Sequence, residues 1–343
     1  MSLPRGTAEL PGCGGALKSV PEDFQVTELP AYEPSGEGEH LYLWIEKVGQ
    51  DTAFVARRLG QLLGFPEGDV GYAGLKDRQA RTFQYFSVPA RAEAKLALFE
   101  APGVTIHRSA RHGNKLKTGH LKGNHFEIRV RGPTDAQAAD AVAAVLRSRG
   151  LPNYFGGQRF GRADDNAALG KRLLLGERLP QRIGRFERKL FLSAYQSLLF
   201  NRALAQRVAE ASWTRALSGD VLRKADSGGV FVCEAPDVDQ PRVDAFEVSP
   251  AGPLFGPKMV PASGGVATAE AALLAEEQVT SALFEKGGGE TQGGRRAYRL
   301  AVPDLAVTRE GGDLIVAVTL PKGSYATVLL DELMKSNAAG QAT

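Results

Sequence analysis

Hydrophobic and polar positions alternate near the start of the chain. "DFQVTEL" (23–29) sets Phe24, Val26 and Leu29 loosely against polar neighbours, the pattern of a half-buried strand. "HLYLWIEKV" (40–48) is rich in aromatic and branched residues and predicts a second strand, beyond the polar Gly/Pro loop "PAYEPSGEGE". Asp51 or Thr52 caps a predicted helix running to about Leu63, where Gly64 ends it. Its Val55, Leu59 and Leu62 share one face, with Arg57 and Arg58 outside. "DVGYAGL" and "TFQYFSV" then predict strands on either side of a Lys76-Asp77-Arg78 turn.

Farther on, "FEIRVRG" predicts a strand and "DAQAADAVAAVLRSRG" an alanine-rich helix ending at Gly150. Residues 186–213 contain neither Gly nor Pro and predict the longest helix. "SGDVLRKADSGGVFVCEAPD" reads as a short β-rich patch and "TAEAALLAEEQVTSALF" as another helix. Glycines at 287–289 and 293–294 bracket a flexible loop, and the strand "DLIVAVTLP", a Gly-Ser turn and the helix "YATVLLDELMK" close the chain. Strands and helices do not alternate regularly, so the expected fold class is α+β with mixed or antiparallel sheets.

A length of 343 residues leaves room for two domains with sizeable cores. Apolar residues at 43% and charged residues at 24% are ordinary for a globular protein. Cys13 and Cys233 stand far apart and form neither a disulfide framework nor a metal-type pair. The start lacks the apolar core of a signal peptide, and no apolar run is long enough to span a bilayer. The expectation is a soluble, cytoplasmic protein with no membrane partner.

The net charge of +3 is too small to imply a nucleic-acid partner, but its distribution is uneven. Residues 105–125, "TIHRSARHGNKLKTGHLKGNH", hold five Lys/Arg and four His without one acid. Arg108, Arg111, Lys115, Lys117 and Lys122 are therefore candidate RNA-backbone contacts, each able to displace counterions from a phosphate. His107, His112, His120 and His125 have no carboxylate or thiol among them and fit no common zinc spacing, so no metal is expected.

"NYFGGQRFG" (153–161) mixes aromatics with Asn, Gln, Arg and three glycines, a composition that suits a nucleotide pocket as well as a core. Asn153 and Gln158 can read a base edge, and Phe155 can stack on one. Asp77 lies between two cations after a strand. That is a common surface turn, but an ionised Asp beside cations can also serve as a covalent nucleophile.

Taken together, "VPEDFQVTE", "AGLKDRQARTFQ", "LKGNHFEI", "NYFGGQRFG", "LSAYQSLLFN" and "LPKGSYAT" resemble the tRNA pseudouridine synthase D (TruD) family, in the family's order from Lys18 to about Glu332. The resemblance implies a pseudouridine-synthase catalytic domain with a mixed, mainly antiparallel sheet flanked by helices. That domain would comprise residues 1–178 and 302–343, interrupted by an inserted α/β TRUD domain at 179–301. It implies isomerisation of uridine 13 in the D-arm of tRNA to pseudouridine with neither cofactor nor metal; a monomer is the default expectation.

By the same resemblance Asp77 is the nucleophile, with attack at C1′, attack at C6 and elimination at C2′ all open. Phe24, Asn153 and Tyr325 match positions lining the uracil site, and Lys18 a basic position near it. Phe155 stands where other pseudouridine synthases carry a tyrosine, which favours stacking over proton transfer. Tyr325 departs from the family's usual Phe, and its hydroxyl needs a partner if buried. The rival expectations are a catalytically inactive tRNA-binding or folding protein, and a nucleoside hydrolase releasing free uracil.

Overall fold

A computed structural model describes residues 3–161, 163–179 and 182–335, folded into two compact units. One unit comprises Gly12–Ala143 and Val302–Ala326; the other is formed by the remaining segments.

The first unit is built on an eight-stranded sheet. Strands β1 (Phe24–Pro30), β2 (His40–Val48), β3 (Gly71–Tyr72), β4 (Arg81–Pro89), β5 (Val104–His112) and β6 (Leu121–Val130) are joined by Ala306–Glu310 and Asp313–Pro321. From one edge the order is Ala306–Glu310, Asp313–Pro321, β6, β1, β4, β2, β5, with β3 paired to β4. Strands β1 and β4 run parallel and the other pairs antiparallel, the mixed sheet of an α+β protein.

The inward row of β2 is Leu41, Leu43 and Ile45, and helix α1 (Thr52–Leu63) covers it with Val55, Ala56, Leu59 and Leu63. Asp51 caps α1 by accepting the Phe54 N–H at 2.7 Å, and Gly64 ends it at φ 84°, a left-handed conformation that favours glycine. Two details differ from expectation. The helix buries Leu63 and leaves Leu62 half-buried, because its buried face, with Thr52, Val55, Ala56, Leu59 and Gly60, is centred near Leu59 and Leu63 and Leu62 falls at its edge. The buried row of β1 is Phe24, Val26 and Glu28, a strict alternation that leaves Leu29 half-exposed. The basic stretch supplies edge strand β5 through His112 and rejoins the sheet in β6 from Leu121, and its charges blunt an open edge.

In the second unit the predicted long helix spans Arg185–Ala209. Its Leu192, Tyr195 and Leu199 pack with Leu173, Leu174, Phe255, Leu273, Leu274 and Phe284. The β-rich patch belongs to a four-stranded sheet ordered Gly294–Ala297, Val248–Leu254, Val221–Lys224, Val230–Val232. The single helix predicted at 268–284 is two, Gly264–Glu276 and Ser281–Lys286. Between them Gln278 turns left-handed at φ 55°, and the Glu277 carboxylate accepts from Lys171 at 2.8 Å and from the Tyr195 hydroxyl at 3.1 Å. The two ends of the chain are stitched in this unit. The Glu332 carboxylate accepts the N–H groups of Gly6 and Thr7 at 2.7 and 3.1 Å and the Thr7 hydroxyl at 2.5 Å.

Candidate active site

The turn joining β3 to β4 carries Asp77, and buried polar side chains define its path. The Thr52 hydroxyl accepts the Lys76 N–H at 2.9 Å and donates to Gln84 at 3.1 Å; Gln84 in turn donates to the Gly74 carbonyl at 3.2 Å. Within the Lys-Asp-Arg triplet the three side chains part. Lys76 turns inward, 3.4 Å from the buried Glu28 carboxylate and 2.5 Å from Asn124 Oδ1. Burial pushes the Glu28 carboxyl up and the Lys76 ammonium down, while each charge pulls the other back. Arg78 turns along the surface and donates to the Gly49 carbonyl at 3.2 Å. The Asp77 carboxylate points away from the core, its side chain about one-third exposed at 35%.

The cation that meets Asp77 is therefore neither of its neighbours. Lys18 Nζ lies 2.5 Å from Asp77 Oδ2 and 4.6 Å from the centre of the Phe24 ring. Lys18 itself holds φ 55°, an uncommon left-handed backbone for a lysine. The second oxygen, Asp77 Oδ1, accepts the Gln79 N–H at 3.1 Å. Partial burial alone would raise the Asp77 pKa. The Lys18 hydrogen bond and charge, the Gln79 N–H and the charge of Lys47 outweigh it and hold the carboxyl below its ordinary value. The group is thus ionised at neutral pH and takes up a proton only as pH falls through the depressed value.

Three of the residues singled out from the sequence meet here: Lys18, Phe24 and Asp77. Phe24 is buried at the start of β1, edge-on to Phe126 at 6.1 Å between ring centres. Tyr325 belongs to the same unit and is half-buried; in the chain it follows strand Asp313–Pro321 and directly precedes the helix Ala326–Met334.

Asn153 and Phe155 belong to the second unit. Asn153 is buried; its Nδ2 donates to the Ala297 carbonyl at 2.8 Å and its Oδ1 accepts from Arg296 at 2.5 Å. The Arg296 guanidinium lies over the Phe155 ring, 4.0 Å from its centre. Asn201 fixes the backbone of Phe155 at both ends, accepting its N–H at 2.8 Å and donating to its carbonyl at 2.9 Å. A cleft of about 220 Å³ in this unit is lined by Phe155, Arg159, Lys189, Ser193, Gln196 and Leu254, among others.

The basic segment gains partners that its own sequence lacks. Arg111 forms an ion pair with Glu93 at 2.6 Å, and His107 lies 2.7 Å from Glu46. Arg108 lies over the Trp44 and Tyr85 rings at 5.3 and 5.6 Å, and Lys115 donates to the Gly68 carbonyl. Lys117 and Lys122 are exposed. His112 and His120 pack against Tyr32, and His125 meets Thr319 at 3.1 Å. Among the described residues no three His, Cys, Asp or Glu side chains group as metal ligands.

Sequence reasoning missed four residues that shape the Asp77 turn: Glu28, Lys47, Thr52 as a bonding partner, and Asn124. A signal existed for two of them. Glu28 continues the buried row of Phe24 and Val26, and Lys47 continues that of Leu41, Leu43 and Ile45. A charge in the inward row of a strand needs a buried partner.

The fold is that of a TruD-family crystal structure from Methanosarcina mazei, which aligns with a TM-score of 0.78 over 98% of this chain and 99% of that one at 22% identity. The family model described as tRNA pseudouridine synthase D (TruD) matches residues 6–179 and 177–333. The tRNA pseudouridine synthase D of Anaeromyxobacter dehalogenans is 51% identical over 98% of this chain and 97% of its own length. That of Thermus thermophilus is 41% identical over 97% and 92%. The protein is thus of the pseudouridine synthase class, a class of isomerases. More narrowly, the chain belongs to the tRNA pseudouridine synthase D family. Among its described residues no helix is long and apolar enough to cross a membrane.

Proposed function

We propose that this protein isomerises uridine 13 in the D-arm of tRNA to pseudouridine, with Asp77 as the nucleophile. In the net reaction the N1–C1′ bond breaks and a C5–C1′ bond forms. C5 loses its proton and N1 gains one, so no oxidant or second substrate enters. Attack at C1′, attack at C6 and proton abstraction at C2′ all call for a carboxylate that is ionised and reachable. The observation supporting this role is the 2.5 Å contact of Lys18 with an Asp77 side chain that remains about one-third exposed.

A uridine within folded RNA must leave its stack first, at a cost of about a few kcal/mol. Phe24 and Tyr325 are proposed as apolar partners of the turned-out base, which offset that cost and keep water from the freed uracil. Asn153 and Phe155 are proposed for base contact. The cationic lining of the cleft beside Phe155, from Arg159 and Lys189, suits an RNA strand. Residues 179–301 are proposed as the TRUD insertion, and Arg108, Arg111, Lys115, Lys117 and Lys122 as backbone contacts.

Unmodified tRNA incubated with the protein should acquire one pseudouridine, mapped by carbodiimide adducts and primer extension. Asp77→Asn should lower conversion by about 10⁴-fold or more and leave tRNA affinity within a few-fold. Turnover retained by that variant would remove Asp77 from the mechanism, and free uracil among the products would mark a hydrolase instead.

A further inference from the structure

We infer that Lys47 is a positioning residue for the Asp77 turn, a buried ammonium that grips the turn's backbone from beneath and holds its carboxylate in place. The inference rests on the assignment of Asp77 made above.

The geometry is specific. Lys47 follows Leu41, Leu43 and Ile45 in the inward row of β2 and has 0% of its surface exposed. Its Nζ donates to the carbonyls of Gln50 at 2.7 Å, Asp77 at 2.9 Å and Lys76 at 3.4 Å. An ammonium has three protons, and three carbonyls converge on it. Two of them belong to the turn, one to Asp77 itself. Lys18 thus holds the Asp77 carboxylate from one side while Lys47 holds the backbone of the same residue. Neutral donors could satisfy the carbonyls, but only a cation also adds favourable charge beside the carboxylate.

A buried lysine without a carboxylate hydrogen-bond partner is an expensive way to tie a loop. Loss of water drives the Lys47 pKa down to about 8, against the pull of Asp77 in the turn and Asp51 at the cap of α1; Lys76 adds to the fall. As pH rises through about 8 the ammonium loses a proton, one carbonyl loses its donor and the positive field behind Asp77 vanishes. Between that value and the ordinary 10.5 the unfolded chain binds more protons than the folded one, so this group makes stability rise with pH. Activity and stability should therefore move in opposite directions over that interval. A lysine with no influence on the carboxylate would leave the rate flat while stability rises.

The test is single-turnover conversion of tRNA as a function of pH, beside chemical denaturation, for the wild type, K47M and K47R. The wild-type rate should fall on an alkaline limb centred near pH 8 while its stability does not fall. K47M should convert about 100-fold more slowly, bind tRNA within a few-fold of wild type and lack that limb. K47R, whose charge does not titrate, should recover part of the rate and also lack the limb. K47M with the wild-type rate, or with its limb unmoved, overturns the inference. If neither variant folds, the Nζ resonance of Lys47 in labelled wild-type protein decides. A titration midpoint coinciding with the kinetic limb supports the inference, and a separate midpoint overturns it. Activity in Asp77→Asn would instead overturn the nucleophile assignment, so the two failures are distinguishable.

Discussion

At the Asp77 turn, buried side chains hold backbone atoms and leave the carboxylate reachable. At residues 153–155, buried side chains also hold backbone atoms, but the polar groups of Asn153 are consumed in the process. Lys47 and Thr52 bind carbonyls and an N–H of the turn, so Asp77 keeps its own oxygens for Lys18, Gln79 and solvent. Asn153 gives its amide to Ala297 and its oxygen to Arg296, and the guanidinium of Arg296 then lies on Phe155. One corner is a charge kept poised by cations; the other is a packed ring kept oriented by amides. The first should fail electrically and the second mechanically.

That contrast can be broken most strongly at Lys18. Lys18→Met should lower the single-turnover rate about 100-fold. It should also move the acid limb of the rate profile to higher pH, because the ammonium that depresses the Asp77 carboxyl is gone. Its stability should change by less than about 1 kcal/mol, as for other partly exposed ion pairs. An acid limb that stays in place would show that Lys18 does not set the ionisation of Asp77.

Asn201→Ala should give the reverse signature. Two hydrogen bonds to the backbone of Phe155 disappear from a buried site, costing about 2 kcal/mol in denaturant unfolding. The acid limb should not move. A variant as stable as wild type would mean that Phe155 is held by its ring contacts alone.

The smallest effect separates cations within the basic stretch. Lys117→Ala or Lys122→Ala should each reduce the log–log salt slope of tRNA binding by about 0.7–0.9. Arg111→Ala should reduce the slope by less, because Glu93 competes with the phosphate for that guanidinium. Equal losses from all three would show that the Glu93 pair opens in the complex.

The sequence determined the elements with a clear period or punctuation: β1, β2, α1 with a cap at Asp51 or Thr52 and a stop at Gly64, and the Arg185–Ala209 helix. Local rules suffice where a 2.0 or 3.6 repeat meets a cap. The family, too, was legible, because its motifs are contiguous. Tertiary structure alone decided which cation meets Asp77. The flanking Lys76 and Arg78 were the obvious candidates, yet successive side chains in a turn point different ways, and the partner came from Lys18, 59 positions away. The same holds for the basic stretch, whose missing acids are supplied by Glu46 and Glu93 across space. Electrostatic partners are chosen by distance in three dimensions, and a sequence records only order along the chain.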